Sequence, residues 1–179
     1  MKKPSVTELI KLLDKPALLS WANKQGLIGV DITKKRKEWL NYGTSLHNQI
    51  YEYITTGTPL IKESDMNNYN FFFKDKEILS VECKVENEYF TGTYDLIYKK
   101  NNKIYLSDYK SNAKNIYFEN KLQLVAYSMC VDCDALSIIS IPDFKEMPFN
   151  ISDKEPYIEI LKSLSIIYKQ KQLINGNKF

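Results

Sequence analysis

Asp95, Asp108 and Lys110 are the residues whose types and spacing point most directly to chemistry. They fall in "TYDLIYKKNNKIYLSDYK", residues 93–110, which reads as two strands joined by Asn101-Asn102. Asn tolerates the left-handed backbone that a two-residue hairpin turn requires. With that turn, Asp95 lies opposite Asp108, Ile97 opposite Leu106 and Thr93 opposite Lys110. Side chains alternate along a strand, so Asp108 and Lys110 share a face, and cross-strand pairing adds Asp95 to it. Tyr94, Leu96, Tyr98, Tyr105 and Tyr109 take the other face, so both sides of the sheet are expected to be covered. Like charges directly opposed across strands destabilise a sheet, and one ammonium beside two carboxylates leaves net negative charge. The bland reading is an ion-pair cluster with Lys110 as its cation. The sharper one is a hard divalent cation, Mg²⁺ or Mn²⁺, held by carboxylate oxygens with water and phosphate completing its shell. Lys110 would then hold or polarise a water whose pKa the metal lowers. Such a site suits phosphodiester hydrolysis.

The surrounding elements must present that patch. "SVTELIKLLDKPALLSWANKQG" begins with Ser5 and Glu8 in capping-box spacing, breaks or kinks at Pro16 and ends at Gly26. A second helix is expected from about Thr33 to Thr56, stopping near Gly57-Thr58-Pro59. Residues 60–76 read as irregular, with "DMNNYN" the most loop-like part. From Glu77 the period becomes two, giving a three-strand meander with turns near Asn87-Glu88 and at Asn101-Asn102. "NAKNIYFENKLQLVAYSMCVD" reads as a helix, "ALSIISIPDF" as an apolar strand, and residues from about Asp153 to Leu173 as a closing helix. The expectation is one α/β domain over residues 1–179, with a central mixed sheet, an antiparallel meander and flanking helices. It divides into a helical N-terminal extension (1–40), a core (41–145) and a C-terminal helix (153–175).

Bulk composition narrows the class further. Hydrophobic residues make up 44% of the 179 and charged residues 26%, ordinary for a globular domain. Lys, Asn, Ile and Tyr prevail over Arg, Ala and Gly, as an AT-rich genome would produce. A net charge of +3 is compatible with a polyanionic partner without pointing to one. The run "KKRK" at 34–37 reads as a solvated helix face or as phosphate contacts. Trp21 and Trp39 read as core residues or as stacking platforms for bases. Three cysteines, Cys83, Cys130 and Cys133, complete no disulfide framework, which favours a reducing cytoplasm. "CVDC" lacks the second pair that a four-ligand metal site needs. No apolar run reaches the ~20 residues of a membrane span, and the opening "MKKPSVTELIKLLDKP" lacks the apolar core of a signal peptide.

In order along the chain stand His47 in "GTSLHNQIYEYI", Asp95 in "GTYD", Asp108 and Lys110 in "DYK", and Gln123 and Tyr127 in "QLVAY". This succession resembles the PD-(D/E)xK nuclease superfamily, specifically its RecB-type exonuclease branch, over about residues 40–130. The resemblance implies a restriction-endonuclease-like core. It also implies that Asp95, Asp108, the Tyr109 backbone carbonyl and His47 ligate the metal, and that Lys110 positions the attacking water. Gln123 and Tyr127, four residues apart on one helix face, would line the site and hold the substrate backbone; the competing expectation makes Tyr127 core. Glu82 in "SVECKV" resembles the branch's less regular strand-one acid, a catalytic or substrate-side candidate. Thr44 and Ser45 are expected either to touch phosphate or to sit on the helix surface.

Some members of the branch carry four cysteines around an iron–sulfur cluster; this chain departs from that pattern, and no cluster is expected. Nor is there a helicase motif, which suggests a stand-alone nuclease, phage-encoded or bacterial, with a role in DNA recombination or repair. The expected activity is hydrolysis of DNA, as an exonuclease on single strands or ends. A helicase, recombinase or single-strand-binding protein is a conceivable partner, and no membrane is involved. The competing readings are a non-catalytic nucleic-acid-binding or assembly module on the same fold and a metal-dependent RNA endonuclease.

Overall fold

The computed structural model describes residues 3–13, 16–29, 31–150 and 154–176, without the side chains of 16–18, 32, 34–36, 38 and 39. The run at 34–37, apart from Lys37, and the Trp39 ring therefore lie outside the described residues; Trp21 is half-buried. The elements are α1 (Val6–Ile10), α2 (Pro16–Leu27), α3 (Ile32–Thr56), α4 (Glu63–Phe73), β1 (Glu77–Glu86), β2 (Thr91–Lys100), β3 (Lys103–Ser111), α5 (Phe118–Ser128), β4 (Ala135–Ile141), β5 (Lys145–Phe149) and α6 (Glu155–Gly176). The five strands form one sheet in the order β1-β2-β3-β4-β5. Neighbours run antiparallel except β3 and β4, which are parallel. Parallel strands need a long crossover, and α5 supplies it. The α/β class, the mixed sheet and the antiparallel meander are as expected.

Two apolar layers sandwich the sheet. On one side Val6 and Leu9 of α1, Leu122 and Val125 of α5 and Leu161 of α6 pack on Ile97, Leu106 and Ile138. On the other, Leu46 and Ile50 of α3 and Tyr69, Phe72 and Phe73 of α4 pack on Leu96, Tyr98, Tyr109 and Ile139. β4 is covered on both faces, and its near-continuous run "ALSIISI" reflects that. Tyr94 departs from the expected face: it packs in the first layer rather than with Leu96 and Tyr98. It lies on the part of β2 that has left β3 and pairs only with β1.

Five further differences from the sequence reading have local causes. Residues 63–73 are helical because Met66, Tyr69 and Phe73 recur at helical spacing and pack on the sheet, which overrides the weak propensity of "DMNNYN". β5, unforeseen, is short and carries Pro148, which an edge strand tolerates. α5 begins only at Phe118, and the loop between β1 and β2 spans 87–90, where the Asn87 side chain accepts from the Tyr89 and Phe90 amides. Finally, α1 is core and no mere extension. The expected capping box forms, with Ser5 N–H donating to Glu8 Oε2 at 2.7 Å and Glu8 N–H to Ser5 Oγ at 3.2 Å. The Thr91 amide donates to the Pro4 carbonyl at 2.9 Å, and Val6 and Leu9 are fully buried. No helix among the described residues is long and apolar enough to cross a membrane.

If α1 closes the first apolar layer, Leu9→Ala should cost about 2–5 kcal/mol, the usual range for emptying a buried leucine site. Urea unfolding followed by circular dichroism checks this; an unchanged midpoint would contradict it.

Candidate active site

The site forms where two strands part. Asn101 and Asn102 adopt φ of 50° and 58° and make the expected turn. From there β2 and β3 pair in the expected register, Lys100 with Lys103 through Ile97 with Leu106 to Leu96 with Ser107. The ladder then stops. β2 continues alongside β1 to Thr91, while β3 continues alongside β4 to Ser111. The extrapolated pairs Asp95–Asp108 and Thr93–Lys110 are accordingly not ladder partners. A backbone N–H left by its strand needs another acceptor. The Tyr109 amide finds one in Asp95 Oδ2 at 2.7 Å. One carboxylate thus replaces the missing strand and is fixed at the fork.

Helix α3 brings His47 to the same point. Gly43, one turn earlier, permits the approach, since a Cβ there would meet Ser111 Oγ at 2.6 Å. His47 Nδ1 stands 3.8 Å from Asp95 Oδ2, and its ring meets Tyr109 edge-on with centroids 5.4 Å apart. Glu82 arrives from β1 by a different device. It has φ of 48° inside a strand, a conformation costing of order 1–3 kcal/mol that persists where the surroundings demand it. One ligand atom from each of His47, Glu82 and Asp95 lies within 4.8 Å of the others.

Lys110 holds the other side of the fork. Its Nζ lies 2.6 Å from Asp108 Oδ2 and donates to Gln123 Oε1 at 3.1 Å, while Gln123 Nε2 donates to Tyr127 OH at 3.1 Å. Asp108 is buried, and the Lys110 ammonium is the group set against its Oδ2. The Tyr127 ring packs over Gly92, where a Cβ would come within 2.6 Å of Cε1. That contact gives the glycine of "GTYD" a physical reason.

The charges follow from this crowding. Burial, then the Asp108 carboxylate, hold the Asp95 acid well above the ordinary range, although Lys110 and the Tyr109 amide pull the other way. Burial and Asp108 also raise Glu82. Burial lowers His47, although Asp108 and the Tyr109 carbonyl oppose it. For Lys110, burial favours the neutral amine, but Asp108 and Asp95 outweigh it and the group is held more firmly protonated.

Hard oxygen donors, a neutral imidazole and three crowded carboxylates served by one ammonium together suit a divalent cation such as Mg²⁺ or Mn²⁺. The converging trio differs from the expected ligand set. Glu82 is in it, and Asp108, foreseen as a direct ligand, is instead turned onto Lys110. Thr44 lines the cleft of about 570 Å³ beside His47, Glu82, Asp95 and Lys110. Ser45 does not: it faces the outer concavity and accepts from Gln49 Nε2 at 3.1 Å. Gln123 and Tyr127 are brought to the site as expected, but through Lys110. Tyr127 is also buried core, as the competing expectation had it.

No family model matches the sequence, and no curated protein matches it. Among solved structures, one titled "Crystal structure of SSO0001" is similar over 92% of this chain and 76% of that one, at 13% identity and a TM-score of 0.47. A likeness that distant adds nothing to what the site's geometry supports.

Two outcomes are expected. A raised carboxyl pKa in the fold means the unfolded chain releases its proton first. In metal-free protein the Asp95 contribution therefore favours folding below about pH 3.8, its ordinary value, and is lost as pH rises toward the raised one. Asp95→Asn should thus raise the melting temperature at neutral pH and lose that advantage in acid; no difference at either pH would contradict the assignment. Separately, Gly92→Ala should cost about 1–3 kcal/mol by overpacking against Tyr127, read by thermal unfolding.

Proposed function

We propose that the protein is a divalent-metal-dependent nuclease that hydrolyses DNA phosphodiester bonds, acting as an exonuclease on single strands or ends. The observation carrying this reading is the meeting, where β2 and β3 part, of three acids, a histidine and an ammonium steered by Gln123. The order of these residues resembles the RecB-type branch of the PD-(D/E)xK superfamily, whose restriction-endonuclease-like core is also a mixed sheet flanked by helices. His47, Glu82 and Asp95 would hold the metal, with Asp108 and the Tyr109 carbonyl beside them. When bound, the ion supplies an acidified water and neutralises charge on the phosphoryl oxygens.

The chain's own groups then have separable tasks. Lys110 is held as an ammonium, so it does not take the water's proton; it donates to the water or to a non-bridging oxygen. Asp108 and Gln123 occupy two directions around Nζ and leave a third for that contact. The lowered His47 is the neutral imidazole that a ligand role requires. Burial of Asp108 and Tyr109 removes water from one wall of the site, where charges act more strongly.

The test uses purified protein with Mg²⁺, Mn²⁺ or EDTA on linear single-stranded DNA, linear duplex, closed circular DNA and RNA. Linear DNA should be degraded and closed circles spared, with activity abolished by EDTA. Lys110→Ala should slow the reaction by about 10²–10³-fold, the usual loss for one electrostatic donor. Cutting of circles would indicate an endonuclease, and preference for RNA a ribonuclease. Absence of cleavage with every metal would contradict hydrolysis and favour a nucleic-acid-binding module.

A further inference from the structure

A second cavity, of about 550 Å³, opens on the far side of the Gln123–Tyr127 pair, between α1, the outer ends of β1 and β2, and α5. Its size falls within the range of small-ligand sites. Gln123 belongs to its wall while its carbonyl oxygen accepts from Lys110, which lines the catalytic cleft, so one hydrogen bond joins the two walls. The lining mixes apolar and polar groups: Val6 and Val85 stand beside hydroxyls, Thr7 and Thr93 among them, and two charged groups, Lys84 and Glu86. Glu86 is partly neutralised by Lys3 at 3.5 Å. Lys84 is exposed and has no ion-pair partner among the described residues.

A lysine without a counter-ion, hydroxyl donors and an aromatic edge make up a surface for a phosphodiester and its base. Hydroxyl and lysine contacts to phosphate position a strand without reading its sequence. The three acids of the neighbouring cleft repel a polyanion, so strand binding needs compensating positive charge close by but outside the acids' immediate contact. Lys84 is placed to provide it. Among the described residues the histidine helix contributes nothing to this cavity; α1, the end of β1, the start of β2 and α5 build it, which brings the opening residues to its wall.

We infer that this cavity is a phosphate-binding subsite for single-stranded nucleic acid, receiving the nucleotides adjacent to the one in the catalytic cleft, with Lys84 as its cation and Thr7 and Thr93 as donors. The inference rests on the nuclease reading for the identity of its ligand.

It is tested by binding rather than by cleavage. Anisotropy of a labelled single strand of about 12 nucleotides, a length within the usual site sizes of single-strand binders, is measured across salt concentrations. Wild type is measured in EDTA, and the same series is repeated in a Lys110→Met background with Mg²⁺. Lys84→Ala should weaken binding about three- to tenfold and lower the salt slope by about 0.7, the loss of one phosphate contact on a single strand. Lys84→Arg should restore both, Thr93→Val should weaken binding without changing the slope, and Lys103→Ala, at the exposed hairpin tip, should change neither. Equal losses for Lys84→Ala and Lys103→Ala would reduce the effect to a diffuse field and overturn the subsite. No change in Lys84→Ala, or no strand binding under either condition, would overturn it too. Because EDTA stops cleavage in one series and loss of Lys110 slows it in the other, a protein that binds through Lys84 yet never cleaves would defeat the hydrolytic reading alone. One that cleaves while indifferent to Lys84 would defeat the subsite alone.

Discussion

The hydrogen bond from the Tyr109 amide to Asp95 is the constraint on which the site depends. Two strands that pair regularly through Leu96 and Ser107 separate at the next residues, and a side chain takes over the role of the absent backbone. The separation opens a fork in a sheet that is covered on both sides. It also means that one acid is fixed by the fold itself, with little rotamer freedom left to lose when a ligand binds. Preorganisation of that kind is what a charged site requires, because its groups need not be reoriented at the moment of reaction.

Electrostatics explain why the fork is costly to keep and useful to have. Asp95, Glu82 and Asp108 crowd a partly buried space, and a single ammonium cannot satisfy them. The protein tolerates a left-handed backbone at Glu82 to add the third acid. A purely structural cluster would gain nothing from that strain, since a glycine at position 82 would relieve both the repulsion and the backbone cost. The division of labour between the two sides of the fork is equally physical. His47, Glu82 and Asp95 gather on the α3 side, while Asp108, Lys110, Gln123 and Tyr127 form a chain toward α5.

What was legible in the sequence came from rules with short reach. The Asn101-Asn102 turn and strict alternation set the hairpin register, and so placed Asp95, Asp108 and Lys110 together. The four-residue spacing of Gln123 and Tyr127 set them on one face of α5. Where geometry departs from regularity, those rules fail. Continuing the register one pair too far made Asp95 and Asp108 ladder partners, although the strands have parted there. The position of Glu82 depends on its positive φ and on a register shift between Ile78 and Ser80, neither of which leaves a mark in residue types. Helix α4 was hidden by its asparagines and β5 by its proline. The burial of α1 depends on partners more than 80 residues away in the chain, such as Thr91.

The central claim is that these acids and the histidine converge on a cation. Crystals soaked in Mn²⁺ and measured for anomalous scattering test it most directly. A peak bonded to His47, Glu82 and Asp95 is the expected result. A map with no peak in the fork, and a Lys110 ammonium lying among all three carboxylates instead, would contradict it.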